Sequence, residues 1–415
     1  MNIFGLIILV ALVLDYLLGI VGNILNLRGL RLDVPDPLKG IYEPAEYGRS
    51  QEYTRAATRF GFVTESFNLA VVLVFWFSGG FNFLDGVVRG WAFASIPTGL
   101  VYIAILGAGY ALLTLPFSIY QTFGLEQRFG FNRTTPRLFV ADRLKGLALA
   151  VALGSPLLAG VFALFEYGGP FAWTYAWAAV VAFSFVVQFV APVWIMPLFN
   201  KFTPMPEGEL RTAILAYASS MNFPVSNLFI IDSSRRSTRS NAYFTGIGRN
   251  KRIALFDTLV EQHTTSEIVG VLAHEIGHYK KKHVIQGMII SVVHTGIIFF
   301  LLSIFLKSAG LYDAFYMDRS SIYTGLLFFG LLYTPVELIL SILMNMVSRH
   351  NEREADRFAV DTTPHPASLA EALKKLSRNN LSNLTPHPFY VFLNYSHPPL
   401  LERVQAITRH GTNSV

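Results

Sequence analysis

The sequence predicts a mainly α-helical membrane protein with seven spans and a small water-exposed α/β unit. Three observations predict it. Seven apolar stretches are long enough to cross a bilayer, positive charge gathers on one side of them, and a patterned polar insert precedes the sixth. The composition agrees: of 415 residues, 52% are hydrophobic and 14% are charged, against about 25% charged in soluble chains. Mean hydropathy is +0.43. Cysteine is absent, which excludes a disulfide framework, a thiolate metal site and a cysteine nucleophile. A transition metal would have to sit on His, Asp or Glu.

The apolar stretches cover residues 4–26, 66–87, 91–120, 146–166, 171–199, 285–306 and 321–347, each of helical spanning length. None contains Lys or Arg. The segments after the first, third, fifth and seventh stretches hold 30 of the 33 Lys and Arg. The positive-inside rule makes that side cytoplasmic, with the amino terminus outside and the carboxyl terminus inside. The pI near 9.3 thus marks cytoplasmic loops and not a nucleic-acid partner. The first stretch ends without an A-x-A-like cleavage site, so it reads as a retained span. The expected organisation is five transmembrane helices with their loops over 1–200, a cytoplasmic insert over 201–284, helices six and seven over 285–350, and a cytoplasmic helical segment over 351–415. No internal repeat of the transporter kind is visible.

Within the insert, "NLFIIDSS" (227–234) reads as a strand. "NAYFTGIGRNKRIALFDTLV" (241–260) reads as strand, Gly-containing turn and strand. A helix then starts at "TTSEIVGVLAHEIGHYKKKH", with Thr264 and Glu267 placed for a capping box. No proline separates Lys282 from Val284, so this helix is expected to run into the sixth span. "MNMVSRHNEREADRFAV" reads as helix across the membrane boundary at the end of the seventh.

All ten histidines lie after residue 260. His274 and His278 are four apart and share one face of a helix, so both imidazoles can converge on one Zn²⁺. Glu275 projects about 100° away around the helix. It is badly placed as a ligand but well placed to take a proton from a metal-activated water. Catalytic zinc usually takes three protein ligands. "SRHNEREAD" (348–356) offers Glu352, Glu354 and Asp356. Glu352 and Asp356 share a face, so Glu352 is the expected ligand and Asp356 the group that orients a ligand imidazole. Glu354 points away and reads as solvated. Asn345 and Arg349 share the Glu352 face as supporting residues, Arg349 by pairing with a carboxylate. His397, in "SHPPLLERV", can stabilise an oxyanion or simply belong to the turn before a last helix. Arg403 can do the same or hold His397 or Asp356. His283 reads as interfacial, and His263, His365, His387 and His410 as solvated or turn residues. His294, Glu337 and Asp15 are ionisable groups inside spans.

These residues resemble a known family. "HEIGH" followed by Ser348, Arg349, Glu352, Ala355 and Asp356 is similar to the motif pair of the integral-membrane zinc proteases of the gluzincin type. With seven spans, "SNAYFTG", "KRIALFDTL", "YSHPPLLERV", "DYLLGIVGNILN" and "EYTRAATRFGF", nearly the whole chain resembles the CAAX prenyl protease type I family. The resemblance implies a barrel of seven helices around a water-filled chamber, with the gluzincin unit at its cytoplasmic end. It implies one Zn²⁺ per chain and hydrolysis near the carboxyl terminus of a peptide or protein substrate, in eukaryotic relatives a prenylated CaaX tail. It also implies that the strand holding Asn241, Ala242 and Tyr243 pairs with substrate backbone, and Arg403 is counted among the substrate-binding residues. The compact loops point to a prokaryotic homologue in the cell inner membrane; a eukaryotic one would sit in the endoplasmic reticulum. Membrane lipids are the remaining partner. Two other readings stand beside this one: a heat-shock-type quality-control protease, whose relatives usually have four spans, and a non-enzymatic chamber or transporter with a vestigial zinc site.

Overall fold

The computed structural model describes residues 1–31, 33–39, 43–245 and 251–413. Seven long apolar helices occupy Ile3–Arg28, Pro44–Phe77, Ser95–Glu126, Pro136–Tyr167, Gly169–Leu198, His283–Phe305 and Ile322–Thr362. The second departs from its apolar stretch. It ends at Phe77, Gly79 turns the chain at φ +74°, and Gly80–Arg89 forms a separate short helix. The turn needs its glycines: a Cβ on Gly80 would stand 2.6 Å from the Phe75 ring.

The helices close a ring in chain order. Tyr16 meets Ser66 at 2.7 Å between the first and second, and the Phe67 and Phe117 rings lie 4.8 Å apart between the second and third. Tyr102 packs with Phe162 between the third and fourth, and Val161 with Ala176 in the cluster joining the fourth and fifth. Trp177 donates to the Val292 carbonyl at 3.0 Å between the fifth and sixth. Phe305 stacks on Phe329 between the sixth and seventh, and the seventh packs back on the first.

Two apolar cores cap this ring. At one end Ile8, Trp76, Phe81, Phe299, Phe315 and Phe328 interlock. At the other, the sheet-bearing unit has its own core. Between them, among the described residues, no side chain is buried at 12–21, 52–75, 103–124, 136–160, 177–198, 284–298 or 334–348. A filled bundle would bury the inward face of each helix here. The ring is therefore a barrel around a chamber, closed at one end and carrying the α/β unit at the other.

That unit holds four strands, β1 (Phe202–Pro204), β2 (Val225–Ile231), β3 (Ala242–Thr245) and β4 (Lys251–Phe256), in the order β1-β2-β4-β3. The central pair is parallel and the outer pairs antiparallel. Leu228, Ile231, Ile253, Ala254 and Leu255 are buried, as expected of central strands covered on both faces. β3 forms an edge, and the Gly-containing turn after it (246–250) lies outside the described residues. The expected strand through residue 260 stops at Phe256, and Asp257–Gln262 is a short helix. Asp257 sets that junction: its carboxylate accepts from the Ser233 hydroxyl at 2.8 Å, the Ser234 amide at 2.9 Å and the Ser234 hydroxyl at 2.5 Å.

The metal-motif helix, Thr265–Lys280, opens with the capping box formed by Thr264 and Glu267. Its apolar face (Ile268, Leu272, Ala273, Ile276) packs into the core of the sheet-bearing unit, burial of each of Ile268, Leu272 and Ile276 being worth about 1.5–3 kcal/mol. This helix does not run into the sixth span. It stops at Lys280, Lys282 takes a left-handed conformation at φ +63°, and a new helix begins at His283. The Lys281 and Lys282 amides satisfy the Gly277 and Tyr279 carbonyls, so a break forms without Pro or Gly to announce it. The seventh helix continues unbroken to Thr362, helical across the membrane boundary as its sequence reads.

Replacing Asp257 by Asn is expected to destabilise the sheet unit by about 1.5–3 kcal/mol. Although burial opposes it, the hydroxyl and amide donors hold the Asp257 carboxyl below its usual range. Its contribution is therefore full above the unfolded value of about 4 and fades as pH falls below that. Apparent Tm of wild type and Asp257→Asn should converge at acid pH and separate at neutral pH.

Candidate metal centre

Two helices make the site, and Gly277 lets them meet. A Cβ at Gly277 would stand 3.1 Å from Ala355 Cα and 3.2 Å from both its carbonyl oxygen and Phe358 Cβ. The helix carrying His274 and His278 thus lies directly on the one carrying Glu352. One donor atom from each of these three residues falls within 4.8 Å of the others. His274 Nε2 lies 3.2 Å from His278 Nε2, 3.3 Å separates it from Glu352 Oε2, and His278 Nε2 is 3.2 Å from Glu352 Oε1.

The chemistry of this trio fits a cation. Bonds of 2.0–2.1 Å in a tetrahedron place neighbouring donors about 3.3 Å apart, the spacing seen here. Glu352 Oε2 is buried with only the long contacts of His274 Nε2 at 3.3 Å and Arg403 at 3.4 Å and no hydrogen bond of good geometry, which a buried carboxylate tolerates poorly. Burial disfavours charge on His274, yet hydrogen bonds to Asp356 and Glu352 outweigh it and raise its pKa to about 9. The space between the two carboxylates favours positive charge.

The surrounding residues fall into three groups. Asp356 accepts from His274 Nδ1 at 2.9 Å and is gripped by Arg403 through Nε at 2.8 Å and Nη2 at 2.6 Å. Arg403 is buried and also stands 3.4 Å from Glu352 Oε2. His397 Nε2 lies 3.3 Å from Glu352 Oε1 with its side chain 60% exposed, so one edge stays open. A cavity of about 280 Å³ joins Glu275, His397, Arg403 and Asn241 with two of the donor residues, His274 and Glu352. Burial pushes the Glu275 carboxyl above its usual range, with the flanking histidines opposing. Asn241 precedes β3, whose backbone includes Ala242 and Tyr243.

Asn345 and Arg349 act on backbone. Asn345 donates to the Leu393 carbonyl at 3.0 Å. Arg349 donates to the Val391 and Tyr395 carbonyls, not to the carboxylate expected for it. The reason is local: Pro388–Asn394 is a short helix, and its terminal carbonyls need donors. Both residues thus hold the segment that leads to His397.

Two residues escaped the sequence reading. His283 is buried, with Nδ1 3.0 Å from His278 Nδ1, and its Nε2 meets Glu354 Oε2 at 3.1 Å. The interfacial role expected for His283 is therefore corrected, while Glu354 keeps a side chain 41% exposed and turns one oxygen to His283. The unsuspected turn at Lys282 brings His283 back beside His278, and only that turn makes the pairing visible. His263 is likewise buried, at the turn between Asp257–Gln262 and Thr265–Lys280. Within the spans, His294 lies 3.2 Å from Tyr333 and 3.4 Å from Glu337.

Comparison with known proteins decides the family. Residues 23–201 match the model of the CAAX prenyl protease N-terminal region with five membrane helices, and residues 204–410 match peptidase family M48. The chain belongs to peptidase family M48. A CAAX prenyl protease 1 homolog of Oryza sativa subsp. japonica is 35% identical, over 96% of this chain and 96% of its own. CAAX prenyl protease 1 of Saccharomyces cerevisiae is 36% identical, over 90% and 88%. The crystal structure of S. mikatae Ste24p superposes with a TM-score of 0.93 at 32% identity, covering 98% of this chain and 99% of that one. The protein is an integral membrane metallopeptidase of the M48 family, and its three converging donors lie close enough together to hold a metal ion.

Widening the helix contact should dismantle the centre. Gly277→Leu is expected to lower metal affinity at least about tenfold, as outer supports of metal ligands do when lost, while the membrane helices stay folded. Metal titration alongside helical circular dichroism checks this.

Proposed function

We propose that this protein is a zinc endopeptidase of the membrane that processes the carboxyl-terminal tails of CAAX-type substrates. His274, His278 and Glu352 hold one Zn²⁺ per chain. The carrying observation is the convergence of these three donors beside Glu275, in a cavity open to His397 and next to β3. Bound zinc supplies a water whose pKa is near 7. Glu275, which lines the cavity beside the donors, would take a proton from the attacking water and deliver it to the leaving amine. His397 offers Nε2 to the carbonyl oxygen as negative charge develops there. Asp356, fixed by Arg403, holds His274 in the tautomer that turns Nε2 to the metal.

The β3 edge receives the substrate as an added strand, aligned by Asn241 and the backbone of Ala242 and Tyr243. Arg403 backs the same cavity. The names of the relatives support a CAAX-type substrate, lipidated at its carboxyl terminus, and the chamber offers space for the lipid. The distribution of Lys and Arg supports an outside amino terminus and a cytoplasmic carboxyl terminus.

Purified wild type should contain one zinc and cleave a farnesylated CaaX peptide. Glu275→Gln should keep the zinc and lose about 10²–10⁴ in kcat. Cleavage unchanged by this substitution, or wild type without zinc, overturns the proposal. An unlipidated peptide of the same sequence, cleaved equally well, overturns the lipid requirement alone.

A further inference from the structure

We propose that His283 and Glu354 form a hydrogen-bond relay that fixes the tautomer of His278 and keeps its Nε2 lone pair on the metal. The inference rests on the metal site described above and concerns two residues outside its ligand set.

The two ligand histidines are supported differently. His274 has a carboxylate directly behind it, Asp356 at 2.9 Å. His278 has instead a second imidazole, His283, with the two Nδ1 atoms 3.0 Å apart. A hydrogen bond between two like nitrogens needs one proton: one ring donates and the other accepts. If His278 Nδ1 accepted, the proton of neutral His278 would sit on Nε2, pointing at His274 and Glu352 and blocking the metal. If it donates, Nε2 carries the lone pair that a metal needs.

Glu354 selects between these orders. Its carboxylate lies 3.1 Å from His283 Nε2 and, when ionised, can only accept. It therefore draws the His283 proton to Nε2, which leaves Nδ1 as an acceptor for the His278 Nδ1–H. The order reads His278 to His283 to Glu354, each step donor to acceptor. Water competes little, because the His283 side chain is 7% exposed. Glu354 is partly exposed, and the neighbouring His350 lies farther from it, at 3.8 Å. The left-handed Lys282 sets the geometry, with only Lys281 and Lys282 between the end of one helix and the start of the next. His283 and Glu354 are positioning residues: they touch neither metal nor substrate and act through His278.

The test measures zinc affinity of the full chain in detergent by competition with a chromophoric chelator. His283→Phe, which keeps bulk and removes the relay, is expected to weaken zinc binding about 10–100-fold. His283→Asn places an amide oxygen near the former Nδ1 and should restore most of that loss. Glu354→Ala should fall between wild type and His283→Phe. In cobalt-substituted protein, the visible ligand-field bands should shift in His283→Phe and return in His283→Asn, a recovery that loss of packing alone does not produce. Zinc affinity of His283→Phe within about threefold of wild type, or no recovery in His283→Asn, overturns the relay. Should His283→Phe fail to fold, Glu354→Ala in the same assay decides: unchanged affinity overturns the relay. Wild type that binds zinc tightly but cleaves no peptide overturns the protease reading and leaves the relay standing.

Discussion

The site depends on how closely two helices approach at Gly277. With no side chain there, the backbone of Ala355 comes within van der Waals contact of the metal-motif helix. That contact sets the distance from His274 and His278 to Glu352, and everything else in the centre is referenced to it. Asp356, one turn beyond Glu352, lands on His274; Glu354, on another face, lands on His283. A helix interior glycine costs about 1 kcal/mol of propensity, and here that cost is offset by packing that no larger residue permits.

Hydrolysis at a membrane requires water where the chain is mostly apolar. The architecture supplies it by separating two cores. One core interlocks the far ends of the seven helices and the other fills the α/β unit, while the stretches between bury nothing among the described residues. Polar groups that would be costly in lipid, such as His294 and Glu337, pair with one another across neighbouring helices. The metal centre sits where the sixth and seventh helices enter the α/β unit, at the boundary between chamber and sheet.

Charge is handled by pairing. Arg403 and Asp356 are both buried, and such a pair persists only with well-made hydrogen bonds, since losing one partner costs about 3–5 kcal/mol. Their double contact leaves Asp356 a lone pair for His274. The same packing that stabilises this corner of the fold therefore orients a ligand. Asn345 and Arg349 do the equivalent for His397, by holding the carbonyls of the segment before it.

The sequence alone determined the seven spans, the capping box at Thr264 and the shared face of His274 and His278, because apolar length and helical periodicity are local properties. It also favoured Glu352 over Glu354 by the same periodicity. Local rules failed where partners lie far apart in the chain. The second apolar stretch hid a glycine turn, the strand after residue 256 became helix because Asp257 answers to Ser233 and Ser234, and Lys282 broke a helix with no residue type to signal it. The last case mattered most. A helix continued through Lys282 would turn His283 away from His278, since residues five apart on a continuous helix do not share a face. Only tertiary packing decided that His283 folds back onto His278 and meets Glu354, 71 residues later, because that pairing depends on the direction of two helices and not on the spacing within either.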